Sequence, residues 1–179
     1  MTTREDDGGL SSSAVPAGCE PADALACPFR GYETTVLDTW LDYNGHMTDS
    51  AYAVVCAEAN EIFLVALDLS AGYRSRTGCT TYTVESRIRY LREATRGEYL
   101  RAETVLVRAD EKRLLVHTTI LNAGAHPVAT GEYLFLHLNQ STGRVEPFSQ
   151  AHADFVQAVA SAHEPWPRPG YLGLGVWGS

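Results

Sequence analysis

The sequence predicts an α+β domain in which an antiparallel sheet wraps around one long central helix. Between residues 50 and 67 almost every position is apolar, which is typical of a helix covered by other structure on all sides. From residue 79 to residue 138, apolar and polar side chains alternate in four runs separated by short turns, which is typical of an antiparallel meander. The sheet is then the layer available to cover the helix.

Composition narrows the class of protein further. The chain has 179 residues, enough for one domain with a core, and 45% of them are hydrophobic. Its formal net charge of −8 makes it a poor binder of nucleic acid or of an anionic membrane. No apolar run approaches the ~20 residues that cross a bilayer, and we see no signal peptide. The four cysteines lack metal-ligand and disulfide patterns, so the reduced cytoplasm is the expected location.

The first part of the chain divides into a leader and a strand. Residues 1–29 are rich in Ser, Gly, Ala, Pro and acidic residues without any period, and we expect a disordered leader there. The main domain is predicted to cover residues 30–140. Its first strand is predicted from Tyr32 to Trp40, because residues 34–36 are all β-branched.

The remaining elements follow in order. The helix is predicted from Ser50 to about Leu67, a loop from Asp68 to Gly78, and the four strands from Cys79 to Leu138. Residues 141–179 are predicted to form a short helix over Gln150–His163 and then a Pro/Gly-rich tail. The tail contains Tyr171, Leu172, Leu174 and Trp177, so we expect it to pack on the domain or on a partner subunit.

The run from Asp42 to His46 contains the most informative residues for function. It places a carboxylate in a Gly-containing loop that leads directly into the long helix, with Thr48, Asp49 or Ser50 available as the cap. The first turn of a helix has backbone N–H groups without helical partners. A carboxylate beside such N–H groups can attack a polarised carbonyl or direct water at it.

Each residue of this region has two interpretations. Asp42 is predicted to be a nucleophile or general base, and the alternative is an Asp that caps its own turn. Backbone N–H groups near Asp49 and Ser50 are candidate oxyanion donors, and ordinary capping of the helix is the alternative.

The neighbouring candidates are less specific. His46 is expected to hold the loop by hydrogen bonds rather than to transfer a proton. Asn44 could orient water or support the turn, and Gly45 would permit a backbone conformation that a Cβ would block. Glu58 could be a second acid, although a salt bridge or an exposed helix edge explains it as well.

The strand, the Asp-x-x-Gly-His loop, the covered helix and the four-strand meander together resemble the hotdog fold. They are similar in particular to its 4-hydroxybenzoyl-CoA thioesterase-like branch, whose pattern is Asp-x-x-Gly-His-Val/Met-Asn-Asn-x-x-Tyr. Thr48 and Asp49 replace the two common Asn residues here, but a carbonyl donor at Asp49 would be its backbone N–H. The matching residues are Asp42, Gly45, His46, Met47 and Tyr52.

Within that branch, residues 40–50, 82–91 and 109–114 look closest to betainyl-CoA thioesterases, including the domain fused to some carnitine dehydrogenases. The resemblance implies hydrolysis of an acyl-CoA thioester without a metal or other cofactor. It also implies a homodimer or homotetramer with sites between subunits. No His spacing suggests a metal site.

Two sets of residues are predicted to bind the substrate. Trp40, Tyr43 and Tyr52, together with Asp49, would suit a trimethylammonium group, and contacts in the core or between subunits are the alternative. The main basic cluster could bind the phosphates of CoA. A solvated strand face with acidic partners explains that cluster equally well. The cluster comprises Arg87, Arg89, Arg92, Arg96, Lys112 and Arg113, and Arg87, Arg89 and Arg113 are its main candidate phosphate ligands.

These observations predict an acyl-CoA thioesterase for a short polar acyl group such as betainyl. A broader aliphatic or aromatic acyl-CoA thioesterase is one alternative. A non-catalytic hotdog domain that binds acyl-CoA is another, but a pure scaffold has no need for the acid at Asp42.

Overall fold

A long helix lying against an antiparallel sheet forms the centre of the molecule. The computed structural model describes residues 24–172. The helix is α1 (Asp49–Ala66), and the strands are β1 (Phe29–Thr35), β2 (Cys79–Tyr90), β3 (Tyr99–Ala109), β4 (Arg113–Asn122), β5 (Pro127–Asn139) and β6 (Arg144–Val145). The sheet has the strand order β1-β3-β4-β5-β2, with the short β6 beside β5. This confirms the predicted antiparallel sheet against one long helix. The predicted four-strand meander is wrong in part, because only β3, β4 and β5 are neighbours in chain order, whereas β2 pairs with β5 at the far edge and not with β3.

Helix α1 buries most of its surface, but the prediction that other structure covers it on all sides is wrong for the single chain, since Val54 is 44% exposed and Ala57 and Glu61 are exposed as well. Phe63 is fully buried, and its ring centroid lies 5.2 Å from that of Phe29 on β1. Val55 and Cys56, two turns earlier, are also fully buried. Aliphatic and aromatic side chains that leave water in this way supply most of the free energy that fixes α1 against the sheet.

The first strand lies earlier in the sequence than predicted. It begins at Phe29 and ends at Thr35, and a 3-10 turn over Asp38–Trp40 replaces its predicted second half. The N–H of Val36 still donates to the Glu98 carbonyl at 2.9 Å. The chain then turns, with the Trp40 N–H donating to the Leu37 carbonyl at 3.0 Å. The β-branched residues therefore predict the strand but not the point where the chain leaves the sheet.

The predicted loop from Asp68 to Gly78 contains a second helix, α2 (Ala71–Thr77). Ser70 caps it by accepting a hydrogen bond from the Gly72 N–H, and Gly78 ends it in the left-handed conformation. Both signals are visible in the sequence, but seven residues are too few to show a clear apolar period. Within residues 24–172, no single helix is long and apolar enough to cross a membrane. Helices α1 and α2 taken together have that length and composition, but the axis bends by 50° between them.

Strand β2 contains a bulge that changes which side chains share a face. The predicted face of Glu85, Arg87 and Arg89 is confirmed, since these residues pair in turn with Leu134, Glu132 and Thr130. The predicted face of Tyr82, Val84, Ile88 and Tyr90 is wrong in part. The register shifts between Thr83 and Glu85, so Tyr82 lies on the face opposite to Ile88 and Tyr90.

The C-terminal part of the described chain begins with α3 (Gln150–Ala162), which agrees with the predicted short helix. Trp166 and Leu172 then pack on an apolar patch of the outer sheet face, the face away from α1. Arg168 donates to the Val107 carbonyl at 3.1 Å and fixes this segment further. Leu174 and Trp177 lie outside the described residues, as does the predicted leader up to residue 23. Ala24, near the end of that leader, is fully buried.

Acid stability is expected to depend on His117, which lies under this C-terminal segment and is 1% exposed. Burial lowers the pKa of His117 from 6.5 to about 4, although Glu132 opposes the shift. A depressed pKa means that the folded state resists protonation of this group. The contribution of His117 to the unfolding free energy is therefore fully present above pH 6.5 and is lost as the pH drops toward 4. Between pH 7 and pH 4.5, the unfolding free energy of the wild type should fall by about 2 to 3 kcal/mol more than that of His117→Gln, because glutamine does not titrate.

Urea unfolding at the two pH values measures this difference. The exposed His126 provides the control, because His126→Gln should lose as much stability as the wild type. An equal loss in His117→Gln and the wild type would show that His117 does not contribute.

Candidate active site

The Asp42–His46 loop is a tight turn closed by its own backbone. The Asp42 N–H donates to the His46 carbonyl at 2.8 Å, and the Gly45 N–H donates to the Asp42 carbonyl at 3.1 Å. Gly45 has φ +80°, in the left-handed region, and an added Cβ would meet no atom within 4 Å. Glycine is therefore favoured there for its backbone conformation and not for lack of space.

The Asp42 carboxylate accepts three hydrogen bonds from this turn. Its Oδ1 accepts the N–H groups of Asn44 at 2.8 Å and His46 at 3.1 Å. Its Oδ2 accepts only the side-chain amide of the exposed Asn44, at 3.2 Å. The carboxylate does cap its own turn, as the alternative interpretation predicts. Oδ2 nevertheless accepts one hydrogen bond fewer than Oδ1, and its single donor is an exposed side chain.

These hydrogen bonds also determine the charge of Asp42. The N–H of His46, followed by the amide and N–H of Asn44, lowers the pKa of the Asp42 carboxyl below its ordinary value of 3.8. Partial burial opposes that shift. Asp42 is consequently ionised throughout the neutral range, as a nucleophile or general base requires and a general acid does not.

Hydrogen bonds connect this loop to the chain between β2 and β3. The Met47 N–H donates to the Ala94 carbonyl at 2.8 Å. The Tyr52 hydroxyl accepts from the Ala94 N–H at 3.1 Å and lies 3.2 Å from the Arg92 carbonyl, to which it donates. Tyr52 is 4% exposed, so its main role in the described chain is to fix this connection on α1.

The N-terminus of α1 provides one backbone donor for a substrate. The Ser50 N–H donates to the Asp49 carboxylate at 2.7 Å, and the Ala51 N–H donates to the Thr48 carbonyl at 3.1 Å. Within residues 24–172, the Asp49 N–H has no acceptor. Of the two predicted oxyanion donors, the Asp49 N–H is thus available to a substrate, whereas the Ser50 N–H is already hydrogen-bonded.

A cavity of about 380 Å³ lies beside the start of α1 and Met47, the residue that follows the loop, and none of residues 42–46 is among the residues that line it. Glu93 connects the cavity to the loop, because its Oε2 lies 3.4 Å from the His46 Nε2. The ring of Tyr90 forms part of the wall, with its centroid 5.5 Å from that of Tyr52. The lining residues are Met47, Asp49, Tyr52, Tyr90, Leu91, Arg92 and Glu93.

Sequence reasoning missed Tyr90 and Glu93 as residues of this site. Both lie about 45 residues after the loop in sequence, at the end of β2 and just after it. Only the pairing of the Ala94 region with the loop brings them there. No local pattern in the sequence indicates that pairing.

Several predicted site residues lie elsewhere. Tyr43 is 97% exposed and is not among the residues that line the cavity. Trp40 packs at the edge of the core. Glu58 is nine residues beyond Asp49 on α1, about 13 Å along the helix axis. Its negative charge contributes to raising the pKa of the Tyr32 hydroxyl on β1.

The predicted CoA-binding arginines have protein partners in the single chain. Arg87 forms an ion pair with the buried Glu132 and donates to the Tyr171 carbonyl. Arg89 stacks over the Tyr171 ring at 4.4 Å from its centroid. Arg113 donates to the Asp110 carboxylate at 2.7 Å. The contacts of Arg87 and Arg89 are on the outer sheet face, opposite to Tyr90, and binding of CoA phosphates by these residues remains a prediction.

Comparison with known proteins identifies the family of the chain. Residues 36–159 match the family model described as the thioesterase-like superfamily. The L-carnitine dehydrogenase/betainyl-CoA thioesterase of Agrobacterium fabrum is 38% identical over 83% of this chain, but the match spans only 30% of that relative's length. The betainyl-CoA thioesterase of Pseudomonas aeruginosa is 32% identical over 79% of this chain and 90% of its own.

Solved structures show the same fold. A hypothetical protein of Staphylococcus aureus, determined in complex with CoA, superposes with a TM-score of 0.75 at 23% identity, covering 83% of this chain and 94% of its own. The 1,4-dihydroxy-2-naphthoyl-CoA thioesterase of Synechocystis superposes with a TM-score of 0.60 at 20% identity, covering 77% and 97%. The predicted hotdog fold is confirmed.

Proposed function

This chain belongs to the thioesterase-like superfamily, and we propose that it hydrolyses acyl-CoA thioesters, with betainyl-CoA as its preferred substrate. One observation supports the activity above all others. An ionised Asp42 stands in a tight loop that leads into α1, whose first N–H, that of Asp49, has no acceptor in residues 24–172. The betainyl group is suggested by the names of the relatives and by the acidic, aromatic cavity beside the loop.

Hydrolysis can follow either of two routes from this arrangement. In the first, the Asp42 carboxylate attacks the thioester carbon, CoA leaves as the thiolate, and water then hydrolyses the mixed anhydride to the free acid and Asp42. In the second, Asp42 takes a proton from the water that attacks. In both, the Asp49 N–H and the dipole of α1 would stabilise the oxyanion. The lowered pKa of Asp42 keeps the carboxylate ionised, which both routes require.

We also propose that a second copy of the chain completes the site. Strand β2 is the last strand of the sheet, and within residues 24–172 no strand pairs with its outer edge. Tyr82 and Val84 on that strand and Leu91 just after it are about half exposed. An unpaired apolar edge is a surface that proteins normally cover. Because Tyr90 and Leu91 also line the cavity, a copy paired with β2 would close one side of it.

We further propose a metabolic role and a cellular location for this chain. The double name of the Agrobacterium relative suggests that this chain takes part in carnitine breakdown. A cytoplasmic location is likewise expected from the cysteine usage and from the substrate.

Release of free CoA thiol from a panel of acyl-CoAs tests the proposed activity. Betainyl-CoA is expected to be hydrolysed with a higher kcat/KM than acetyl-, octanoyl- or benzoyl-CoA, because two carboxylates line the cavity. Similar values for all four would favour the broad-specificity thioesterase. Binding of these compounds without release of thiol would favour a non-catalytic acyl-CoA-binding domain.

A further inference from the structure

We infer that Tyr90, assisted by Glu93 and Asp49, recognises a cationic head on the acyl group and sets the substrate preference of the proposed thioesterase. This inference rests on the proposed function and assigns its specificity to the wall formed by the end of β2. It differs from the sequence-based assignment, which placed the cation among Trp40, Tyr43 and Tyr52.

The aromatic surface of the cavity comes mainly from Tyr90. Tyr90 is 53% exposed, whereas Tyr52 is 4% exposed and has its hydroxyl engaged by backbone groups of Arg92 and Ala94. Ala129 is the neighbour of Tyr90 on β5, so no large side chain stands opposite its ring in the pair. A half-exposed aromatic ring on a cavity wall offers a face to a ligand cation.

Two carboxylates stand near that ring. Burial raises the pKa of the Tyr90 hydroxyl, and the negative charge of Asp49 raises it further, which places Asp49 within electrostatic reach of the ring. Glu93 lines the same cavity, and its side chain is 75% exposed. Arg92 is the one cation among the residues that line the cavity. With the carboxylates of Asp49 and Glu93 ionised, the lining therefore has a net charge of −1.

The chemistry of the proposed substrate requires a cation subsite close to the reacting carbonyl. In betainyl-CoA a single methylene group separates the quaternary nitrogen from the thioester carbon. The subsite must therefore lie close to the loop that contains Asp42. The cavity lies next to that loop, because Met47, the residue after the loop, lines it and Glu93 contacts His46 at 3.4 Å. Asp49 contributes both a carboxylate to the lining and the N–H proposed for the oxyanion.

A pair of substrates that differ only in charge tests the inference. The compound 3,3-dimethylbutanoyl-CoA has the shape of betainyl-CoA with carbon in place of the quaternary nitrogen. For Tyr90→Leu we expect kcat/KM for betainyl-CoA to fall about 2- to 30-fold, the range of a cation–π contact, with little change for the neutral compound. Tyr90→Phe is the matched control and should keep the wild-type ratio, since it retains the ring. Glu93→Gln should also lower the ratio.

The outcomes separate this inference from the proposed function. If Tyr90→Leu lowers turnover of both substrates equally, or leaves both unchanged, the inference is wrong and the thioesterase remains. If the wild type hydrolyses neither these compounds nor any other acyl-CoA, the proposed function is wrong and the inference is wrong with it.

Discussion

Replacing Asp42 with Asn is expected to lower kcat for acyl-CoA hydrolysis about 10²- to 10⁴-fold, the contribution typical of a positioned acid or base. The amide lacks the negative charge that either route uses for attack on the carbonyl or on water. Its oxygen can still accept the N–H groups of Asn44 and His46, so the turn should remain folded. The measurement is thiol release under saturating substrate, with the unfolding temperature recorded alongside.

Asp38→Asn is the matched control. Asp38 lies in the 3-10 turn just before the loop and pairs with Arg96 at the surface, so its loss should change kcat little. A variant at Asp42 that keeps most of its activity would mean that this carboxylate only caps its turn.

Placing two lysines on the free edge of β2, as Tyr82→Lys with Val84→Lys, is expected to convert a dimer into a monomer. Both side chains are about half exposed in the single chain, and charge at a strand edge prevents pairing with another strand. Loss of the second copy would open one side of the cavity. We expect kcat/KM to fall about tenfold or more, since small displacements in a site are costly. Light scattering gives the mass, and thiol release gives the activity.

Val145→Lys is the control for this change. Val145 is 45% exposed but lies on β6, away from the β2 edge. It should leave both mass and activity unaltered. A double-lysine variant that stays dimeric, or that is monomeric with full activity, would contradict the proposed role of this edge.

The elements of the fold could be predicted where an apolar or alternating pattern extends over ten or more consecutive residues. The nearly all-apolar run of α1 and the four alternating runs after Cys79 predict those elements to within a few residues. Helix α2 was missed because its seven residues show caps but no period. The face assignment of Tyr82 failed because a bulge in β2 adds one residue, and a bulge has no clear signature in this sequence.

Only the part of the candidate site whose residues are close together in sequence could be predicted. Asp42 and the start of α1 adjoin in sequence, so the loop and its backbone donor could be inferred directly. Tyr90 and Glu93 reach the loop through the hydrogen bonds of Ala94, which are long-range contacts. Tyr43 was misassigned because its neighbours in sequence belong to the site, whereas its side chain points to solvent.

The most direct test of the central claim is a single turnover of betainyl-CoA by the wild-type protein in excess. We expect the bound thioester to be converted completely into equal amounts of betaine and free CoA. Recovery of intact betainyl-CoA from a stable complex would contradict the claim, because the chain would then bind an acyl-CoA without hydrolysing it.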